Sequence, residues 1–298
     1  MKEVYTLEDL TSRELLDRGA EKPARLAVIG QPIAHSASPR MHQAALDGYG
    51  IDARYIRLEV APLRVAQTFQ RLRELGFIGC NVTVPHKLEA MMNCEVSPCA
   101  RALGAVNTIS FEGGMTRGYN TDGPGFRNAI EADFGIALST LSVVILGAGG
   151  GAGQALAMQC AMAGVPNLVL VNRSLEKLGP VVERIRKLGG SSRVTALSFE
   201  DKDLGRNCLI ADLIVNGSSV GLKEGEPAIL PLSCLREGHL IYDTIYQPAV
   251  TPLLSDASAL GCRTSNGITM LTQQGALAFQ QWFPGTAPLA LMQMALRN

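Results

Sequence analysis

The sequence lacks several features that would point to particular classes of protein. Its 298 residues hold 27 Lys and Arg against 27 Asp and Glu, so no positive excess indicates a nucleic-acid partner. Its seven cysteines are scattered without a CxxC pair, which argues against a metal site and is typical of reduced thiols in a cytoplasmic protein. No apolar run approaches a membrane span, and acidic residues among the first 22 positions interrupt any signal peptide. We therefore expect a cytoplasmic protein with no metal, membrane or nucleic acid as partner.

What the sequence does contain is an alternation of short apolar runs with helical patterns. Residues 25–30, 53–60 and 77–84 are predicted strands, separated by helical patterns in 39–49 and 65–72. Crossovers of this kind make parallel sheets that are covered by helices. With 47% hydrophobic residues, the chain is long enough for two such domains. The sequence predicts an α/β fold in which the N-terminal domain has a mainly parallel sheet.

The most informative segment is a glycine turn between two apolar runs. Val143–Leu146 predicts a strand, and an alanine-rich helical pattern and a second strand follow the turn. This order is typical of a Rossmann dinucleotide-binding unit, in which the helix N-terminus receives the phosphates. Gly147 would permit the tight turn, Gly149 the approach of the pyrophosphate, and the small Ala152 close packing of helix on strand. The residues predicted to bind cofactor here are Gly147, Ala148, Gly149, Gly150, Gly151 and Ala152.

The end of the second strand indicates which dinucleotide is bound. An Asp or Glu at this place usually binds the ribose 2′-hydroxyl of NAD, but here the strand ends in Asn172, Arg173 and Ser174, with Lys177 close behind. These groups suit a 2′-phosphate, so NADP is the favoured cofactor. Glu176 weakens the positive field, and a solvated surface arginine is the alternative explanation of Arg173.

A serine motif in the N-terminal half suggests an anion site. Ser38 precedes Pro39 and a helical pattern, which predicts that Ser38 is the N-cap of a helix. The hydroxyl and the free amides of the first turn would then converge on one spot. Taken alone, simple capping is the better explanation, because Ser-Pro begins many helices for structural reasons only.

A second motif places a lysine at the edge of the predicted sheet. Asn81 and Thr83 alternate along a strand and so point to one side, while Pro85 ends the strand and leaves Lys87 at its C-terminal end. Open α/β sheets bind ligands at that edge. A lysine there can act as acid or base if its pKa is lowered, whereas most lysines are solvated surface charges.

Two further motifs add polar groups before the nucleotide-binding unit. Gly104–Thr108 places the amide of Asn107 on a short strand, and Gly118–Gly123 places the carboxylate of Asp122 in a turn before a helix. A cleft opposite a nicotinamide would need such a carboxylate. Asp122 can also be an ordinary helix N-cap.

Taken together, these motifs closely resemble the shikimate dehydrogenase (shikimate/quinate dehydrogenase) family. The resemblance spans residues 25 to about 283, and the motifs follow the order of the family. The matching segments are Ser36–Pro39 for Ser-x-Ser-Pro, Asn81–Lys87 for Asn-Val-Thr-x-Pro-x-Lys, Gly104–Thr108, Asn120–Gly123, the glycine turn, Asn172–Ser174, Tyr246–Leu253 and Gly267–Gly275.

The resemblance implies reversible, NADP-linked reduction of 3-dehydroshikimate to shikimate, on the route to chorismate and the aromatic amino acids. By the family pattern, Lys87 would donate the proton to the carbonyl oxygen and Asp122 would orient the lysine and a neighbouring hydroxyl. Ser36 and Ser38 would bind the substrate carboxylate. The other implied residues are Asn81, Thr83, Asn107 and Gln274 at the ring hydroxyls with Tyr246 nearby, and Gly267 and Met270 at the cofactor.

The resemblance also predicts the domain organisation. We expect an N-terminal extension over 1–22, a discontinuous substrate domain over 23–122 and 267–298, and a Rossmann-type NADP-binding domain over 123–266, with a cleft between the two domains. Monomer and homodimer both stay open.

Two segments depart from the family pattern, and two other functions are possible. Ala37 replaces the lysine that is common in Ser-Lys-Ser-Pro, and Asn216–Gly221 differs from the loop that usually covers the nicotinamide. Neither departure removes a residue assigned above. The alternatives are a quinate/shikimate dehydrogenase that uses NAD and a catalytically silent NADP-binding paralogue.

Overall fold

The alternation of apolar runs and helical patterns produces two separate sheets, each with its own apolar core. The computed structural model describes residues 2–297. One compact unit comprises the chain up to Thr121 together with the residues from Thr272 onward, and the other is Asp122–Leu271. The second boundary falls inside one long helix, Ile268–Trp282.

The sheet of the first unit is mainly parallel, as predicted. Its strand order is β1-β3-β2-β4-β6-β7-β5, with antiparallel pairing of β4 with β6 and of β6 with β7. The strands are β1 Val4–Tyr5, β2 Ala24–Gly30, β3 Arg54–Glu59, β4 Gly79–Val82, β5 Glu95–Val96, β6 Thr108–Glu112 and β7 Met115–Tyr119.

The helices of the first unit cover this sheet. In α3, Val65, Thr68, Phe69 and Leu72 are buried, which is the helical spacing that the sequence shows. The helices are α1 Arg13–Leu16, α2 Ser38–Gly48, α3 Val65–Glu74, α4 Lys87–Met92 and α5 Pro98–Leu103, with α11 Ile268–Trp282 and α12 Leu289–Arg297 near the C-terminus.

The N-terminal segment is part of the core of the first unit. Here the chain forms a 3-10 turn, Leu7–Thr11, followed by α1. The turn and α1 each bury one leucine in the core, and β1 extends the sheet at the edge of β3. Arg54 on β3 holds the segment against the sheet through two hydrogen bonds. Its guanidinium donates to the Tyr5 hydroxyl at 2.7 Å and to the Asp17 carboxylate at 3.1 Å.

The second unit has the doubly wound arrangement that the glycine turn predicts. Its six strands are all parallel, in the order β10-β9-β8-β11-β12-β13. They are β8 Val143–Leu146, β9 Asn167–Val171, β10 Arg193–Leu197, β11 Leu213–Asn216, β12 Leu240–Asp243 and β13 Arg263–Ser265. The helices are α6 Asp122–Phe134, α7 Gly151–Ala163, α8 Gly179–Lys187, α9 Leu204–Ile210 and α10 Pro252–Ala259; short 3-10 turns lie at Leu138–Thr140, Leu175–Lys177 and Leu232–Cys234.

The described part of the chain contains neither a candidate membrane span nor a metal-binding cluster. Between residues 2 and 297, no helix combines the length and the apolar character that a membrane crossing requires. Over the same residues, no group of three or more His, Cys, Asp or Glu side chains is arranged to hold a metal ion.

Candidate active site

A buried network of amides and hydroxyls forms in the first unit where three chain segments lie side by side. The antiparallel register pairs Asn81 on β4 with Thr108 on β6, and Thr108 in turn with Tyr119 on β7. Asn107 comes directly before β6 rather than within it. We call the resulting group the amide cluster: Asn81, Asn107, Thr108, Thr121 and Gln274.

The members of the amide cluster are joined to one another by hydrogen bonds. Asn107 is its centre: its Oδ1 accepts from the Thr121 backbone N–H at 2.8 Å, and its Nδ2 donates to Thr121 Oγ1 at 2.9 Å and to Gln274 Oε1 at 3.4 Å. Asn81 donates through Nδ2 to Thr108 Oγ1 at 3.2 Å. All five residues are buried. Such a network fixes the direction in which each remaining donor or acceptor faces.

Aromatic residues support the amide cluster from β3, α2 and α11. The Tyr55 hydroxyl donates to Asn81 Oδ1 at 2.7 Å. The His42 ring stacks on Tyr55 with 4.5 Å between ring centroids and lies within 5.4 Å of the Trp282 ring. His42 and Tyr55 are fully desolvated, which lowers the pKa of His42 to about 3 and raises that of Tyr55. The sequence pattern did not identify Tyr55 and His42 as part of the site, because a single tyrosine on a strand does not indicate a functional role.

The serine motif is arranged differently from the prediction. Ser38 is not the N-cap: Ala37 occupies that position with α-helical backbone angles, and α2 begins at Ser38. The N-cap therefore supplies no side-chain acceptor, and the Oγ of Ser36, one residue earlier, accepts from the Ser38 N–H at 3.3 Å. The reason is that the chain already turns before Ala37, where the Ser36 N–H donates to Ile33 O. Both serines nevertheless lie at the start of the same helix.

The lysine motif lies just beyond the end of β4. The strand stops at Val82 rather than Val84, because the His86 N–H closes a turn on Thr83 O. Thr83 therefore follows the strand, and its methyl group packs at Gly30, where a Cβ would lie 2.5 Å from it. Lys87 is the first residue of α4 and is half-buried.

The glycine turn of the second unit has the expected geometry, with one correction. Gly147 has a φ of +77°, which favours glycine. A Cβ on Gly149 would lie 2.7 Å from Asn172 Nδ2, so glycine is required there as well. Ala152, however, is exposed, and the residue that packs helix against turn is Gly153, where a Cβ would lie 2.2 Å from Gly147 O. The first turn of α7 places its third residue, and not its second, on the inner face.

A cavity of about 990 Å³ adjoins this turn. We call it the cofactor cavity. The side chains of Arg173 and Lys177 line the cavity and are exposed. Asn172 Nδ2 donates to Ser174 O at 2.9 Å. Its lining is formed by Gly147, Gly149, Gly150, Gly151, Asn172, Arg173, Ser174, Lys177, Phe199, Glu200, Gly217, Ser218, Ser219, Val220 and Ile229.

The cofactor cavity differs from the sequence prediction in both directions. Ala148, Ala152, Gly267 and Met270 do not line it. Ala148 is buried because its amide donates to Val171 O, and Gly267 is enclosed because a Cβ there would lie 2.1 Å from Thr244 O. The lining also includes Phe199 and Glu200 after β10, which the sequence analysis missed, and residues 217–220 after β11, which belong to the loop that the resemblance places over the nicotinamide. The general rule that ligands lie at the C-terminal ends of parallel strands could have identified them.

A buried carboxylate holds two loops of the second unit. Asp243 at the end of β12 is fully buried and accepts from Asn216 Nδ2 at 3.1 Å, from Thr251 Oγ1 at 2.7 Å and from the Ile245 N–H at 3.0 Å. Burial raises its pKa, and these donors oppose the rise. Asn216 begins the loop that departs from the family pattern, and the half-buried Tyr246 follows Ile245. Asp243 therefore fixes both segments.

The structure groups the candidate residues by unit. The first unit contains both serines, Thr83, Lys87 and the amide cluster; Asp122, Tyr246 and all the predicted cofactor residues belong to the second. Within the first unit, Asn81, Asn107 and Gln274 are brought into one network, and Ser36 is joined to Ser38.

These features define a class of protein. The second unit has the sheet, glycine turn and terminal cation of a dinucleotide-binding unit, and the first carries a buried polar cluster suited to a small hydroxylated ligand. This combination is typical of an oxidoreductase that uses a nicotinamide dinucleotide.

Comparison with known proteins identifies the family. Residues 28–109 match the model of the shikimate dehydrogenase substrate binding domain. A shikimate dehydrogenase (NADP+) of Geobacter sp. strain M21 is 38% identical over 90% of this chain and 93% of its own. The chain belongs to the shikimate dehydrogenase family.

Solved structures agree with this assignment. A shikimate 5-dehydrogenase of Thermus thermophilus in complex with NADP(H) and shikimate is 33% identical, with a TM-score of 0.81 over 92% of this chain and 98% of the other. A quinate dehydrogenase of Corynebacterium glutamicum in complex with NAD is 30% identical, with a TM-score of 0.82 over 91% and 98%.

Proposed function

We propose that the protein is an NADP+-dependent shikimate dehydrogenase, which reversibly reduces 3-dehydroshikimate to shikimate. The observation that carries the proposal is the amide cluster of the first unit, because it presents side-chain amides in fixed orientations to a ligand with several hydroxyl groups. The similarity to the Geobacter protein over nine tenths of the chain supports the same substrate. We place the reaction on the route to chorismate, in the cytoplasm.

The residues of the cofactor cavity fit NADP. Gly149 leaves a space that a Cβ would fill, and the first three amides of α7, before that of Gln154, have no carbonyl partner in the helix, so the turn can receive a pyrophosphate. Arg173 and Lys177 offer two cations to a 2′-phosphate. No carboxylate occupies the end of β9, although Glu200 lies at the edge of the cavity. Bound NADP would supply the hydride.

The chain's own residues would bind the substrate and move one proton. Lys87 donates a proton to the carbonyl oxygen as that oxygen gains charge, and accepts it in the reverse direction. Asp122 orients the Lys87 ammonium and one ring hydroxyl. Asn81, Thr83, Asn107 and Gln274 bind the ring hydroxyls, with Tyr246 nearby. Ser36 and Ser38 bind the carboxylate at the start of α2.

One unit would then bind the substrate and the other the cofactor. We assign substrate binding to residues 23–122 and 267–298, and NADP binding to residues 123–266. The division of the chain at Thr121 and Leu271 supports this assignment to within a few residues. The segment 1–22 belongs with the substrate domain, since it contributes a strand and two buried leucines to that sheet and core.

A quinate dehydrogenase that uses NAD is the second candidate. The similarity to the Corynebacterium glutamicum enzyme favours it. Arg173 opposes it, because a cation at the end of β9 serves a 2′-phosphate and does nothing for a 2′-hydroxyl that a carboxylate would bind.

One steady-state experiment separates these candidates. The purified protein is assayed with shikimate and with quinate, each with NADP+ and with NAD+. We expect the highest kcat/KM for shikimate with NADP+. A preference for quinate and NAD+ would support the second candidate, and the absence of activity with all four pairs would overturn both and leave a binding protein.

A further inference from the structure

One arginine of the first unit holds the serine motif from a neighbouring strand. Arg57 lies on β3 and is half-buried. Its Nε and Nη2 both donate to the backbone carbonyl of Ser36, at 3.1 and 2.8 Å. Two donors of a planar guanidinium that converge on one oxygen fix the position of that carbonyl more tightly than a single flexible donor would.

We call these two donors of Arg57 the fork. The fork binds Ser36, whose hydrogen bonds shape the Ser36–Pro39 motif. Ser36 also accepts the Ser38 N–H through its Oγ at 3.3 Å and donates its own N–H to Ile33 O at 3.0 Å. Its carbonyl, hydroxyl and amide are therefore all engaged. Arg57 thus sets where the Ser36 hydroxyl lies relative to the start of α2.

Arg57 also supplies charge that the motif itself lacks. The motif carries Ala37, which is neutral, at the position where the family commonly has a lysine. Arg40 on the first turn of α2 is exposed and donates to Leu296 O. Arg57 is the less exposed of these two arginines and contacts the motif directly, so its charge is less screened by solvent.

We propose that Arg57 is the positioning residue of the carboxylate site, and that it supplies the positive charge that the Ser36–Pro39 motif lacks. This inference rests on the proposed function, in which Ser36 and Ser38 bind the carboxylate of shikimate. It assigns Arg57 to the recognition of the acid group and not to the ring or to the proton transfer.

The test compares two variants of Arg57 with a matched control. Arg57→Gln removes the charge and the fork, and Arg57→Lys keeps the charge but not the fork. Arg25→Gln is the control, because Arg25 lies on the adjacent strand β2 and its guanidinium also donates to a backbone carbonyl, that of Gly76, at 2.7 Å. The affinities of each protein for shikimate and for its methyl ester are measured by calorimetry, together with kcat, KM for NADP+ and thermal stability.

We expect Arg57→Gln to weaken shikimate binding about 10-fold or more, the range of charge-assisted hydrogen bonds, with little change for the methyl ester. Arg57→Lys should lie between wild type and Arg57→Gln. The ratio of the two affinities is the decisive quantity, because a general loss of structure would weaken acid and ester alike. KM for NADP+ of the Arg57 variants should match that of wild type. The Arg25→Gln protein should match wild type in all of the measured quantities.

Other outcomes overturn the inference in recognisable ways. If Arg57→Gln keeps the wild-type ratio of acid to ester affinity, Arg57 has no role in carboxylate recognition, and the proposed function stands. If Arg57→Gln does not fold, Arg57→Lys decides, and a wild-type ratio there overturns the positioning role of the fork. A wild-type protein that neither binds nor oxidises shikimate overturns the proposed function and this inference together.

Discussion

The amide cluster and the cofactor cavity are built in opposite ways. In the amide cluster, buried side chains bond to one another, and the Asn107 side chain has three partner residues within 3.4 Å: Thr108, Thr121 and Gln274. The cofactor cavity is lined by backbone and by side chains such as Arg173 and Lys177 that are exposed. The first region is ordered by the fold itself, whereas the second offers groups that a ligand must order.

This difference has an energetic consequence. A buried donor that loses its partner costs about 1–3 kcal/mol, so a substitution in the amide cluster should lower stability and affinity together. An exposed side chain contributes little to stability, within about 0.5 kcal/mol. A substitution at the edge of the cofactor cavity should therefore change affinity alone.

The largest expected effect comes from Lys87, which belongs to neither category. Lys87→Ala should lower kcat by about 10²- to 10⁴-fold, because general acid–base catalysis contributes that much. KM for shikimate should shift much less, and NADP+ binding should not change, since proton transfer matters only in the transition state. Steady-state kinetics and cofactor titration measure these quantities.

The exposed Lys187 at the end of α8 provides the control. Lys187→Ala should retain wild-type kcat. A Lys87→Ala enzyme that keeps more than about a tenth of wild-type kcat would show that Lys87 is at most a binding residue. Asp122→Asn should slow turnover and also raise KM, since this carboxylate is assigned to both roles.

The next effect tests the amide cluster at its centre. Asn107→Ala leaves the buried Thr121 N–H without its acceptor at 2.8 Å, and should lower the free energy of unfolding by about 1–3 kcal/mol. It should also raise KM for shikimate. Urea denaturation and steady-state kinetics report the two losses. If KM rises while the free energy of unfolding is unchanged, the fold alone does not order the amide cluster.

Arg173 gives the corresponding test of the cofactor cavity. Arg173→Ala should weaken NADP+ by about 10- to 100-fold and leave NAD+ nearly unchanged, because a charge-assisted phosphate contact contributes about 1.5–3 kcal/mol. The melting temperature should not move. Arg206→Ala, at an exposed arginine of the same unit that does not line the cavity, is the control. Equal losses for both cofactors would contradict the assignment of Arg173 to the 2′-phosphate.

The two regions also differ in how far sequence predicted them. The glycine turn is local, so strand, turn and helix follow from adjacent residues such as Gly147 and its neighbours. The packing prediction was wrong at the inner face of α7, where Gly153 takes the place predicted for Ala152. One residue of helical rotation cannot be fixed by a pattern in which glycine and alanine alternate.

The amide cluster depends on contacts that are distant in sequence. Asn107 and Gln274 are separated by 167 positions, and only the family resemblance placed them at one ligand. Tyr55 and Arg57 were missed because a strand pattern shows which residues are buried, but not which carbonyl or amide they reach across the sheet. The same limit applies to Ser38, which was predicted to be the N-cap but is the first residue of α2 and donates its N–H to Ser36 Oγ.

The smallest expected effect, counted per pH unit, is a loss of stability in acid. It originates at His42, one of the aromatic residues that support the amide cluster. His42 is fully buried and stacks on Tyr55, while Phe279 and Trp282 of α11 pack nearby. Neither ring nitrogen has a hydrogen-bond partner within residues 2–297. Desolvation, opposed only weakly by the nearby Asn81 side chain, lowers the pKa of His42 from 6.5 to about 3.

The sign of the pH dependence follows from this shift. Between pH 6.5 and about 3 the unfolded chain binds a proton at His42 that the folded chain does not, so stability falls as the pH falls. The loss is at most about 1.4 kcal/mol per pH unit. Urea denaturation at pH 7.5, 6 and 5 should show a smaller decline for His42→Phe than for wild type, because phenylalanine keeps a ring against Tyr55 and cannot be protonated. His35→Gln, at an exposed histidine, should decline as wild type does. If His42→Phe loses stability as steeply as wild type, His42 does not cause the acid sensitivity, and the support of the amide cluster is no more sensitive to acid than the rest of the fold.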